Sequence, residues 1–137
     1  MTESADMQLV FRLAGRGFVL SIGDVVEIRE AVALGADIAP RDAAGEPLEV
    51  MDLRPRLELS LAAPCSSLLV LCGEAGPWAL PVDGVDGIFP GVDFALESMP
   101  VLLQREPVGP FREVAIWREE LLLVCHALQL EALGRGV

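Results

Sequence analysis

The sequence predicts an all-β fold of the sandwich or barrel kind, and three observations carry that prediction. Short apolar segments recur with the two-residue alternation of strands, glycine-rich turns separate them, and a pattern near the start returns later in the chain.

Residues 8–13 set Leu9, Phe11 and Leu13 against Gln8, Val10 and Arg12, as a half-buried strand does. Residues 14–17 (Ala-Gly-Arg-Gly) form a turn, and Phe18, Leu20 and Ile22 put a second apolar face beyond it, completing a β-hairpin. Asp24 then caps a short helical turn, and Ile28 returns to the core as a new strand begins. Residues 31–46, with Gly35, Pro40 and Gly45, read as loop with at most a short strand. Residues 48–51 form a strand that runs into 52–59. There Asp52 as N-cap, Pro55 in the first turn, and Leu53 with Leu57 on one face predict one or two helical turns.

Residues 67–72 are a continuous apolar run, followed by a glycine turn at 73–76 and a second strand at 78–82. Set beside residues 9–28, residues 68–88 repeat the order strand, turn, strand, with D-V-V-E-I closing one and D-G-V-D-G-I the other. Two copies do not make a solenoid; they indicate two similar small barrels or sheets packed together. Residues 89–110 hold four prolines and two glycines and read as an extended connector. A last hairpin pairs 111–117 with 121–125 across Arg118-Glu119, and 126–133 closes the chain as a short helix.

The chain of 137 residues suits a single domain, or two small subdomains sharing one core. Its apolar fraction, 53%, is high for a globular domain and implies a large core, some sticky surface, or both. A net charge of −11, with arginine as the only base, opposes DNA and anionic membranes, which bind clustered cations. No nucleic-acid partner and no membrane insertion are therefore expected. No apolar run approaches the ~20 residues of a membrane span, and the polar, acidic start is no secretory signal, so the reading is cytoplasmic.

Chemistry is sparse. There is no phosphate-binding loop and no nucleophile elbow, and the absence of lysine removes Schiff-base chemistry. Cys65, Cys72 and Cys125 match no zinc or redox spacing, and Cys72 and Cys125 each end an apolar run, where cysteine serves as a small core hydrophobe. Cys125 and His126 are neighbours but face opposite ways on a strand. No catalytic residue, metal or cofactor is predicted. An alternative from another class is a thiol or small-ligand site using Cys72, Cys125 or His126. What remains is surface: Val25, Val26, Glu27 and Arg29 in the first unit, and Val82, Asp83 and Val85 in the second, combine apolar side chains with charge as docking patches do.

Three blocks resemble the CheW family of chemotaxis coupling proteins. Residues 11–29 are similar to that family's opening strand pair and V-x-E-I motif, V-M-D-L-R at 50–54 to its V-D-L-R, and L-P-V-D-G-V-D-G-I at 80–88 to its V-D-x-V motif. The resemblance implies two SH3-like five-stranded β-barrel subdomains around a shared hydrophobic core, interleaved as 18–80 and 8–17 plus 81–137. It also implies a non-catalytic adaptor that joins the regulatory domain of a CheA-type histidine kinase to the cytoplasmic tip of a chemoreceptor. A diverged member competing with a true coupling protein is a further alternative. Val25, Glu27 and Arg29 would then face the receptor or kinase, and Val82, Asp83 and Val85 would line the groove between subdomains. Arg54, which ends V-M-D-L-R, and Arg41 join the same partner-binding set. The family carries N-L-R-G ahead of V-D-L-R; here Ala44 stands at the arginine position, Gly45 matches the glycine, and Arg41 lies nearby to substitute.

Overall fold

The computed structural model describes residues 6–30, 40–62, 65–98 and 111–136. β1 (Met7–Leu13) and β2 (Arg16–Ser21) form the predicted first hairpin, with Leu9 opposite Leu20 and Phe11 opposite Phe18. Its turn residues, Ala14 (φ 50°) and Gly15 (φ 83°), are both left-handed, the mirror-image turn whose twist suits a hairpin. A 3-10 turn at Ile22–Asp24 leads to β3 (Val25–Glu30). The cap of that turn is Ser21, whose hydroxyl accepts from the Gly23 amide, and not Asp24 as expected.

β4 (Glu49–Val50) is the short remnant of the strand predicted at 48–51. Residues 52–59 make hydrogen-bonded turns instead of a helix. Asp52 accepts from the Arg54 amide as a cap should, but Glu58 (φ 57°) turns left-handed and stops the run after one bond from the Leu57 amide to the Leu53 carbonyl. β5 (Ser67–Leu71) and β6 (Trp78–Val82) form a second hairpin. β7 (Gly84–Pro90), a 3-10 turn at Gly91–Asp93 and β8 (Ala95–Ser98) occupy the front of the expected connector, whose remainder, 99–110, lies outside the described residues. β9 (Glu113–Trp117) and β10 (Glu120–Cys125) make the third hairpin across left-handed Arg118 and Glu119, and α1 (Ala127–Gly134) closes the chain.

The two repeated units exchange their third strands. β3, from the first unit, pairs with β5 of the second; β7, from the second, pairs with β1 of the first. The sheets run β7-β1-β2-β10-β9-β8 and β3-β5-β6-β4, and in each the hairpin's second strand has a parallel neighbour, β10 beside β2 and β4 beside β6. The repeat is thus carried through pairing, orientation and order. The expected five-and-five strand division is six and four among the described residues. Strand pairing also keeps β2 with β1 and β10, so the chain leaves the larger sheet after Ser21 and not before Phe18.

Both faces of the central strands are covered, which is why they read as apolar runs. One face of each sheet meets the other in a shared core that joins Leu9, Phe11, Phe18 and Leu20 to Leu69, Leu71, Trp78, Leu80 and Val82. The opposite faces build separate interiors: Val10, Val19, Ala115, Trp117 and Leu122 in the larger sheet, and Leu48, Leu68, Val70 and Ala79 in the smaller. Val10, expected to face outward, is fully buried for this reason. The protein therefore has the mostly-β architecture of two barrel-like subdomains on a common core.

Candidate functional site

The motif D-V-V-E-I-R places β3 at the edge of the smaller sheet, held by β5. Val25 lies opposite Leu71 and Ile28 opposite Leu69, both residues of the shared core. An edge strand is covered on one side only. Val25 is half-buried against the core, whereas Ile28, expected inside it, stays 41% exposed. The ladder shifts register between Val25 and Glu27, so Val26 is the unpaired bulge residue and stands out to solvent. Glu27 and Arg29, two residues apart on one face, form an ion pair of 2.9 Å. The hydrogen bond from Arg29 holds the Glu27 carboxyl below the usual carboxylate range.

Arg41 sits in a tight loop ahead of β4, where it bridges to Pro47. Asp42 Oδ1 accepts from the Ala44 and Glu46 amides, both at 2.9 Å, and Arg41 Nη1 donates to the Gly45 carbonyl at 2.8 Å. Asp42 lies within electrostatic reach of Arg29. Ala44 is at the exposed tip of that loop.

The other expected residues divide differently. Val82 is fully buried in the shared core, so it supports a surface and does not form one. Val85, opposite Phe11, is half-buried against the same core. Asp83 is engaged internally: its two carboxylate oxygens accept from the Ala14 amide (3.0 Å) and the Gly15 amide (2.8 Å), bracing the left-handed turn of the first hairpin. Its backbone carbonyl accepts from the Ser66 hydroxyl. Arg54 pairs with Asp52 at 2.7 Å and lies within electrostatic reach of Asp83 and Cys65. The structure therefore pairs Glu27 with Arg29 on β3, holds Arg41 within its own loop, and brings Arg54 within electrostatic reach of Asp83.

Sequence reasoning missed the ties that hold β3's surroundings. Asp24, directly before β3, accepts from the Cys72 amide through its carbonyl and from the Ala127 amide through Oδ2 at 3.0 Å. It thus joins β3, the end of β5 and the start of α1. Glu131 of α1, 5% exposed, accepts from the Glu74 amide at 3.1 Å and from Arg135 at 3.3 Å, and Arg135 also reaches Glu49 at 2.9 Å. α1 follows β10 of the larger sheet in the chain but is fastened to the smaller one.

The thiols do not make a reactive centre. Cys125 is buried, donates to the Val19 carbonyl at 3.4 Å, and burial pushes its thiol well up; burial also raises that of Cys65. A nucleophilic cysteine needs the opposite shift. Cys72, expected in the core, is exposed at the hairpin loop. His126 is the N-cap of α1, and Gln129 Oε1 accepts from its amide at 3.2 Å. Among the described residues no group of three or more His, Cys, Asp or Glu is placed to hold a metal, and no helix is long and apolar enough to cross a membrane.

Paired barrels on one core, with uncovered apolar side chains on an edge strand beside mixed charge, define the class: a β scaffold domain whose distinguishing surface is an edge. The chain belongs to the CheW-like domain family, whose model matches residues 8–133. Among solved structures the chain is similar to the scaffolding protein TtCheW from Thermoanaerobacter tengcongensis, with a TM-score of 0.67, 18% identity, and 92% of each chain covered. At that identity the likeness speaks for the fold. No curated protein matches the sequence. The family places the chain among chemotaxis adaptors and scaffolds.

Proposed function

We propose that this protein is a cytoplasmic, non-catalytic adaptor that joins the regulatory domain of a CheA-type histidine kinase to the cytoplasmic tip of a chemoreceptor, with β3 as its principal docking edge. The observation that carries this reading is the state of β3. Val26 and Ile28 are exposed on a strand anchored to the shared core, and the same strand carries the Glu27–Arg29 pair at the surface, on the face opposite Ile28. A rigid apolar edge supplies affinity, and charges at its rim set which partner is accepted. Arg41, in the loop ahead of β4, takes over the contact that the family assigns to the arginine replaced by Ala44.

The test is a titration of the kinase's CheW-like regulatory domain, and separately of a receptor-tip hairpin, against the full chain. Saturable binding of either, on the order of 10 µM or tighter, and its loss in Glu27→Arg, supports the proposal. If neither partner binds at tens of micromolar, or if Glu27→Arg and Val26→Glu bind as the parent does, the proposal fails.

A further inference from the structure

Among the described residues, the larger subdomain has an interior that is packed at one end and opens into a cavity at the other. Val10, Ala115, Trp117 and Leu122, with Phe89 and Phe94, pack the filled end. At the other end a cavity of about 170 Å³ opens, walled by Val19, Phe94, Leu96 and Val124. Leu96 sits opposite Ala115 and so belongs to the interior face, yet it is 62% exposed because the space before it is open. Barrel interiors of this size are ordinarily closed by their own side chains.

The mouth of the cavity is polar and one-signed. Among the described residues Asp6, Glu113, Gln8, Ser21 and His126 line it, and neither Arg nor Lys does. Asp6 is held in place: its carbonyl accepts from the Gly91 amide at 2.7 Å, its Oδ1 accepts from Gln8 at 3.1 Å, and its carboxylate lies where a side chain at position 91 would begin. An apolar wall with an aromatic ring, closed by two carboxylates from different elements, matches one ligand chemistry. The ligand has a compact hydrocarbon body and one cationic head. A cavity of about 150 Å³ holds a benzene ring, so the body is about the size of a six-membered ring.

We propose that this barrel mouth is a binding site for a small organic cation, an aromatic or alicyclic amine, with Asp6 and Glu113 receiving the ammonium group and Val19, Phe94, Leu96 and Val124 receiving the body. The site stands apart from β3 and is independent of the docking reading. Thiol chemistry has no part in it, since Cys125 on its wall is buried and hydrogen-bonded to Val19.

The experiment is an amide-shift titration of the full chain with benzylammonium, benzyl alcohol and benzoate, which share one shape and differ in charge. Benzylammonium should saturate with a dissociation constant on the order of 1 mM, shifting the amides of Ser21, Leu96, Val124 and His126. The alcohol should bind at least about tenfold more weakly and the carboxylate not at all. Glu113→Gln should weaken benzylammonium about fivefold to tenfold, Glu97→Gln on the opposite face should leave it unchanged, and Leu96→Trp should abolish binding by filling the space. Equal binding of amine and alcohol, shifts that do not saturate, or a Glu113→Gln titration identical to the parent would each overturn the proposal. The far-ultraviolet spectrum and melting temperature of each variant separate loss of the site from loss of the fold.

Discussion

The two repeated units share a plan and differ in how they use their charges. Each is a hairpin followed by a strand that crosses to the other unit, and each crossing strand breaks register at the same point. In β3 the bulge residue is Val26; in β7 the skip between Val85 and Gly87 makes it Asp86. Val26 is exposed, while Asp86 is bound by Arg12 at 2.7 Å, and Arg12 also holds Glu120 of β10. Ile28 and Ile88, at equivalent places, are 41% and 42% exposed. Geometry is therefore conserved between the units while the charges are used in opposite ways. β7 spends its acid on an internal clasp across β1 and β10; β3 keeps its charges at the surface. A duplicated framework with one edge locked and one edge free is what an adaptor with a preferred docking side requires.

The hairpin turns repeat the lesson. Asp83 braces the Ala14–Gly15 turn from outside the first hairpin, and Glu131 braces the loop at Glu74 from outside the second. Each unit's turn is thus held by a carboxylate that lies elsewhere in the chain.

The largest expected effect comes from removing what the units share. Phe18 is fully buried between Phe11 and Phe111, and Phe18→Ala should cost about 3–5 kcal/mol. Because the strands are exchanged, both units should unfold together. Denaturant unfolding followed by fluorescence and by circular dichroism should give one coincident transition; two separated transitions would mean the units fold apart.

Next come the turn braces. Asp83→Ala leaves two amides without their acceptor beside a left-handed alanine, and Glu131→Ala leaves the Glu74 amide unpaired and Arg135 with Glu49 alone. Each should cost about 1–3 kcal/mol. Amide exchange should accelerate at residues 14–15 in the first variant and at 73–76 in the second, and a uniform acceleration in both would contradict local bracing.

A smaller effect is expected from acid. Hydrogen bonds from Arg54 and Arg12 lower the carboxyls of Asp52 and Glu120 in the folded state. The unfolded chain then binds more protons across that window, so stability is full above the ordinary carboxylate values and is lost as pH falls through the folded ones. Melting temperature should hold from neutrality down to about pH 5 and fall below it, and Asp52→Asn should flatten part of that fall. A melting temperature that rises on acidification would contradict the assignment.

Much of the fold was legible in the sequence. Period-two alternation, turn residues and the repeated D-V-V-E-I and D-G-V-D-G-I segments mark the hairpins and their duplication, because those signals are local. Strand exchange was not legible: β3 pairs with β5 across an interval of nearly forty residues, and no local pattern encodes a partner. Burial was misjudged wherever both faces of a strand are covered, as at Val10, or where an edge leaves a core-facing residue bare, as at Ile28. The candidate site was legible as residue types only. Glu27 and Arg29 pair with each other at the surface of β3, but Val82 and Asp83 are committed internally, since a motif records residue type and not whether its atoms already have partners. Asp24 with Ala127, and Glu131 with Glu74, bridge long stretches of chain and leave no sequence signal.

The central claim is that β3 is the free edge and β7 the locked one. The most direct measurement is the affinity of the kinase's regulatory domain for Val26→Glu and Ile88→Glu, each first verified to melt like the parent. The account predicts at least about a tenfold loss for Val26→Glu and less than about a twofold change for Ile88→Glu. Loss in Ile88→Glu with Val26→Glu unchanged would contradict it.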